Sequence, residues 1–314
     1  MNMVKEINVA LISTPTPFEG AQNKWGIFQD TSHIIGFEFD GTACFRKGTK
    51  AGPNALRDVS DGIESYSPYL DADLEDISFV DLGNLPFDLS IDEESSQTDI
   101  ENAYHNANSD FNTLFENVAL KDNNVRIVSL GGEHSISYAP IKKYLSEFPD
   151  LVILHLDAHA DLRDGYLGYH YSHAAIIRRI TDHFGKDHQL IQYGIRSGTR
   201  EEYQWMKAHQ TLKKSRAEFL ASVDAIAKDI PIYLTLDLDY FDPSFFPGTG
   251  TPEPGGEDFH SLISLCKILR SKYFVGCDVV ELSPKIDSTG NSDVFAAKVV
   301  RELLLCLAGP SPAL

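Results

Sequence analysis

The chain has 314 residues, of which 42% are hydrophobic and 23% charged; 27 Lys and Arg face 46 Asp and Glu, a net charge of −19. That is enough apolar material for a large core, and too little basic charge for a nucleic-acid partner, whose phosphates need clustered Lys and Arg. No apolar run approaches the roughly 18–20 residues of a membrane span, and so acidic a surface attracts small cations.

The first residues, MNMVKEINVALISTPTPFEG, lack the basic start, long apolar run and small-residue cleavage site of a leader, so a cytoplasmic protein is expected. Cys44, Cys266, Cys277 and Cys306 form no CxxC pair and read as reduced thiols, mostly buried. Apolar runs of strand length then begin with HIIGFEF (33–39) and ISFVDLG (77–83). A polar stretch from Ser90 to Asn108 runs into a helical pattern over 110–118, where Phe111, Leu114, Phe115 and Val118 hold i, i+3, i+4, i+7 spacing. VRIVSL (125–130) opens into Gly131-Gly132-Glu133-His134-Ser135, with a helix expected over 137–147. LVILHL (151–156) ends abruptly in Asp157, His159 and Asp161. A helix is expected over 173–184, a strand over LIQYGI (190–195), and a helix over 214–228. IYLTLDL (232–238) ends in Asp237 and Asp239. The Pro- and Gly-rich segment from Asp242 to Gly256 reads as a long loop over the site, with Asp242-Pro243 as a turn starter. The pattern closes with a helix over 257–271, a strand in YFVGCDVVEL (273–282), and a helix over 291–307 that starts at Asn291-Ser292-Asp293.

The strand runs are mostly continuous rather than alternating, as in strands covered on both faces. Alternation of strands with helices predicts a parallel sheet between helical layers. Ligands of such sheets bind at the carboxyl ends of the strands, where the Asp- and His-bearing segments fall. No linker composition divides the chain, so one domain spanning 1–314 is expected. Burying unpaired carboxylates at a strand end is costly, and a divalent cation removes the cost. The donors are all oxygen and nitrogen, which suits an ion such as Mn²⁺ better than a thiolate zinc site. Two ions sharing a water-derived nucleophile would attack a planar, electrophilic carbon.

Taken together, GGEHS (131–135), DAHAD (157–161) and LDLDYFDPSFFPGTGTPEPGG (236–256) resemble the ureohydrolase family of arginases and agmatinases. FDGTACFRKGTKAGPNALR (39–57), Ser172-His173-Ala174, GIRS (194–197) and DVVELSPKID (278–287) extend the resemblance over residues 33–307. It implies an α/β fold of three layers, α/β/α, around a mainly parallel sheet of about eight strands. It also implies two Mn²⁺ per subunit and hydrolysis of a guanidinium group to urea and an amine. Carried over by motif, His134, Asp157, Asp161 and Asp237 would hold one metal. Asp157, His159, Asp237 and Asp239 would hold the other, with Asp157 and Asp237 bridging. Asp161 would also accept a hydrogen bond from the nucleophile. Glu281 would meet the guanidinium fork, its alternative being a neighbouring Arg or Lys. His173 would shuttle protons to the leaving amine. His170 is the alternative for that role, because agmatinases usually have His-Gly where this chain has His173-Ala174. His155, inside its strand, reads as a core residue that packs and hydrogen bonds, with a supporting role behind the ligands as the alternative.

PGTGTPEPGG and GIRS are more similar to agmatinases than to arginases. No acidic residue follows Arg196 directly, although Glu201 and Glu202 come soon after. The expected reaction is therefore agmatine to urea and putrescine. Aminopropylagmatine, guanidinobutyrate, guanidinopropionate, arginine and formiminoglutamate are alternative substrates. A one-zinc deacetylase of related fold has no use for six ligands. A catalytically silent metal-binding assembly protein is the non-enzymatic alternative. The resemblance further implies a homotrimer or homohexamer, with a small cationic guanidine as partner and no nucleic acid or membrane.

Overall fold

All seven expected apolar runs become strands of one sheet. The computed structural model describes residues 1–12, 14, 16–87, 91 and 94–309. The strands are β1 (Ser32–Gly36), β2 (Phe79–Asn84), β3 (Arg126–Leu130), β4 (Val152–Leu156), β5 (Gln189–Tyr193), β6 (Pro231–Asp237) and β7 (Tyr273–Val280). Their order is β2-β1-β3-β7-β6-β4-β5, and every neighbouring pair is parallel. Among the described residues the sheet has seven strands, in keeping with the mainly parallel sheet of about eight that was expected. The remaining described strands are two short antiparallel pairs at the periphery, Met3–Lys5 with Ile27–Phe28 and Tyr66–Ser67 with Ala72–Asp73.

Among the described residues, eight α-helices cover the sheet: α1 (Gly52–Asp58), α2 (Gln97–Leu114), α3 (Tyr138–Glu147), α4 (Ile176–Thr181), α5 (Arg200–His209), α6 (Arg216–Asp224), α7 (Phe259–Leu269) and α8 (Asn291–Leu307). Leu154, Leu234 and Val279 pack with Leu56, Phe219, Leu265 and Val299, so α1, α6, α7 and α8 lie on one face. Ile153, Tyr233 and Val275 pack with Phe111, Tyr144, Ile177 and Met206, so α2 to α5 lie on the other. Successive strand residues serve opposite layers, and both layers are apolar. That is why the runs read as continuous. No helix among the described residues is long and apolar enough to cross a membrane.

Two helical expectations need correction, and two helices lay outside the expectations. The helix expected over 110–118 begins at Gln97, because the side chain of Ser96 caps it by accepting from Asp99 N–H, and ends at Leu114. The helix expected over 173–184 is a 3₁₀ turn, His173–Ala175, followed by the short α4. Helices α1 and α5 were not anticipated. α5 buries only Glu202 and Met206, too few positions for an apolar period; its start is set by a capping box between Thr199 and Glu202.

The sheet order has one functional consequence. Strands β3, β7, β6 and β4 are consecutive, so the segments beyond their carboxyl ends, with His134, Glu281, Asp237/Asp239 and Asp157/His159/Asp161, share one rim.

Candidate metal centre

Each strand end is bent to aim its side chains inward. After β3 the chain passes tightly under Phe39: a Cβ on Gly132 would stand 1.9 Å from the Phe39 carbonyl oxygen. Only glycine fits there, and the following 3₁₀ turn, His134–Ser137, turns His134 inward. Asp237 ends β6, and its Oδ1 accepts Asp239 N–H at 2.8 Å, folding both carboxylates onto one turn. Asp161 and Glu281 sit at φ 53° and 70°, in the left-handed region. A non-glycine residue there costs roughly 1–2 kcal/mol, a strain that collects at functional sites.

The six proposed ligands converge. His134 Nδ1 is 3.1 Å from Asp157 Oδ2, 3.1 Å from Asp161 Oδ2 and 3.5 Å from Asp237 Oδ2. His159 Nδ1 is 2.8 Å from Asp239 Oδ2 and 3.6 Å from Asp157 Oδ1. Two groups with metal-ligand spacing result, His134/His155/Asp157/Asp161 and Asp157/His159/Asp239, which share Asp157. His159 is partly exposed and the other five are buried.

The residues fit divalent cations. His134 Nδ1 is buried and makes no hydrogen bond, although three carboxylate oxygens surround it. Its other nitrogen, Nε2, donates to Thr235 Oγ1 at 2.8 Å, and Thr235 Oγ1 donates to Asp278 Oδ1 at 2.7 Å. Nδ1 therefore keeps a lone pair aimed at the carboxylates, as a metal ligand requires. Electrostatics agree. Burial opposes a charge on His134, but Asp157, Asp161 and Asp237 outweigh it and hold its pKa well above the ordinary imidazole value. Burial and then the Asp157 charge push Asp161 up to about 6. Burial and the charges of Asp239 and Asp157 push Asp237 well above the carboxylate range. By themselves these groups must hold protons; a cation would take the protons' place.

His155 belongs to the first spatial group, yet its Nε2 donates to Asp157 Oδ2 at 2.8 Å and its Nδ1 accepts from Gln192 Nε2 at 3.0 Å. It orients a proposed ligand, which its place inside β4 had left as the alternative reading. Asp242 stays out of the site. Its carboxylate accepts from Ser244, Gly255 and Gly256 and closes the loop as a turn anchor.

Beside the cluster lies a cavity of about 280 Å³, lined by His134, His159, Asp161, Asp237, His173 and Glu281 among others. Glu281 has no cationic side chain paired with it among the described residues; its Oε1 accepts His134 N–H at 2.8 Å. Burial, then the neighbouring Glu133, pushes its pKa well above the usual range, so a cation is what this carboxylate lacks. His173 lines the cavity, with its pKa lowered to about 4 by burial and by His159 and His134. His170 is exposed and packed on Arg179 Nη1, away from this cavity.

The arginase family model matches residues 30–306. The chain belongs to the arginase family. An agmatinase of Bacillus anthracis is 37% identical over 284 residues, covering 88% of this chain and 92% of that one. The crystal structure of a candidate agmatinase from Clostridium difficile superposes with a TM-score of 0.78 at 34% identity, over 89% of this chain and 98% of that one. That of the proclavaminate amidino hydrolase of Streptomyces clavuligerus gives a TM-score of 0.78 at 26% identity, over 95% and 98%. This arginase-family chain is accordingly a ureohydrolase, with a His/Asp cluster able to bind metal. Sequence reasoning on it missed the groups behind the ligands. Thr235 and Asp278 are the polar interruptions of two apolar runs, paired in register across β6 and β7. That shared position was the available signal. Thr42, beside the cavity's histidine, lies within the FDGTAC segment, whereas Arg163 and Tyr166, which line the cavity, had no signal.

Proposed function

We propose that this ureohydrolase is a binuclear manganese agmatinase that converts agmatine to urea and putrescine. One observation carries the reading: six oxygen and nitrogen donors converge, and four of them, His134, His159, Asp161 and Asp237, line the same cavity as the buried Glu281, which has no cationic side chain paired with it among the described residues. His134, Asp157, Asp161 and Asp237 would hold one ion; Asp157, His159, Asp237 and Asp239 would hold the other. The two ions would lower the pKa of water to roughly neutral and so supply the nucleophile. Glu281 would accept two parallel N–H donors of the guanidinium and hold its carbon over the cluster. Asp161 would accept a hydrogen bond from the attacking water and take its proton. His173 would give a proton to the leaving nitrogen as the C–N bond breaks, releasing urea and a free amine. The working unit would be a cytoplasmic homotrimer or homohexamer of a single-domain chain, 1–314. A size measurement by light scattering checks the assembly.

A second reading has its own support. Arg163 lines the cavity, stacked 4.5 Å over the Tyr166 ring, with no carboxylate partner among the described residues. A guanidine bearing a carboxylate, such as guanidinobutyrate, would find a counter-ion there. A panel of agmatine, aminopropylagmatine, guanidinobutyrate, guanidinopropionate and arginine with Mn²⁺, scored by urea, separates the two. Formiminoglutamate is scored by formamide. Agmatine should give the highest kcat/KM; a preference for guanidinobutyrate transfers the assignment, and no urea from any of them removes it.

A further inference from the structure

Two motif residues, Thr42 in FDGTAC and Glu133 in GGEHS, are not used by the metal cluster. They meet in the core beneath His173. Thr42 Oγ1–H donates to Glu133 Oε1. Glu133 takes two more donors, Ser135 Oγ–H on Oε1 at 2.6 Å and Thr42 N–H on Oε2 at 2.8 Å. With its hydroxyl directed at Glu133, Thr42 turns the other side of Oγ1 toward His173. The two lone pairs of Oγ1 are left for donors. His173 N–H donates to one at 3.2 Å, and His173 Nδ1 lies 3.2 Å from the same oxygen. Ser172 Oγ, which accepts Ala174 N–H, lies 3.3 Å from Nδ1 on the same side of the ring.

We propose that Thr42, its hydroxyl held by Glu133, is a positioning residue that fixes the ring of His173 with Nδ1 toward Thr42 and leaves Nε2 for the cavity. The inference rests on the reading of His173 as proton donor. Nε2 then relays the proton that Asp161 took from water to the leaving nitrogen as the C–N bond breaks. The ring ends as it began. While it is charged, its Nδ1–H points along Thr42 toward the Glu133 carboxylate. With the hydroxyl gone, the ring can flip, and the nitrogen facing the substrate is no longer held in place.

The test compares Thr42→Val, Thr42→Ser and His173→Asn in the Mn²⁺-loaded enzyme, with metal content measured on each. Thr42→Val should lower kcat by on the order of 10–100-fold, with KM changed less than about 3-fold and metal content intact. Thr42→Ser, which keeps the hydroxyl, should restore kcat to within about 3-fold of the parent. Thr42→Ala replaces Thr42→Val if valine does not fit. If the hydroxyl-free variant keeps the parent kcat, or the serine variant falls equally far, the positioning role is overturned. His173→Asn separates this failure from failure of the underlying reading: if it alone keeps full kcat, His173 is no proton donor, whatever Thr42 does.

Discussion

Asp157 meets three imidazoles, those of His134, His155 and His159, and their proximity holds its carboxyl well below the usual range despite full burial. His155 is the member of this set that is not proposed to bind metal, and its N–H fixes the carboxylate's orientation. Replacing His155 with Asn should therefore lower metal affinity or activity by roughly 10–100-fold while leaving the fold intact. Titration of Mn²⁺ against the variant checks this; unchanged affinity and turnover would make His155 a packing residue. Glu281 is tested by charge. Glu281→Gln keeps the shape and removes the anion, so kcat/KM for a guanidine should fall by roughly 2–3 kcal/mol, on the order of 10²-fold, with metal content preserved. Steady-state kinetics beside metal analysis decides it. Both effects depend on charges buried beside one another, where losing one partner exposes the full cost of the other.

At the scale of elements, the loop of residues 242–256 is held over the site by Arg196. Its guanidinium donates to the carbonyls of Asp239 at 2.7 Å, Glu253 at 2.8 Å and Gly194 at 3.1 Å. Arg196→Met should cost about 2–3 kcal/mol and speed proteolysis within that loop, read by denaturant unfolding and limited digestion. The start of α8 gives a pH test. Asn291-Ser292-Asp293 was expected to begin this helix and lies in its first turn, but the cap comes from Asp287, whose Oδ2 accepts Ser292 N–H at 2.9 Å and Ser292 Oγ–H at 2.7 Å. Hydrogen bonds from Thr289 first, and from Ser292, lower the Asp287 carboxyl to about 2. A depressed folded value means that its stabilisation is full above about pH 4 and is lost as pH falls through about 2. Asp287→Asn should cost about 1 kcal/mol at pH 7, and the gap to the parent should narrow below pH 4 in urea unfolding curves. These elements also mark what could be read in the chain. Strand runs such as Leu151–Leu156 were legible because both faces are apolar, and the ligand positions because polar residues stop those runs abruptly. The strand order was not legible, since parallel pairing leaves no local mark. Nor were α1 and α5, whose starts depend on Pro53 and on the Thr199–Glu202 box rather than on an apolar period. The left-handed backbone at Asp161 and Glu281 is imposed by the surrounding packing and has no residue signature.

For the whole molecule, a net charge of −19 should draw a dicationic substrate toward the cavity. Screening weakens this attraction, so KM for agmatine should rise with salt more steeply than KM for guanidinobutyrate. Metal uptake should release protons. His134, His159 and Asp237 have raised pKa values and Asp161 titrates near about 6, so protons must leave as the cation enters and affinity must increase with pH. Calorimetry of Mn²⁺ binding in buffers of different ionisation enthalpy reads that release. The most direct test of the account is an anomalous difference map at the manganese edge from crystals grown with Mn²⁺. The account predicts two peaks roughly 3.5–4 Å apart, one beside His134 and one beside His159, with Asp157 and Asp237 between them. A single peak, or a pair that leaves Asp239 without a metal neighbour, would contradict it.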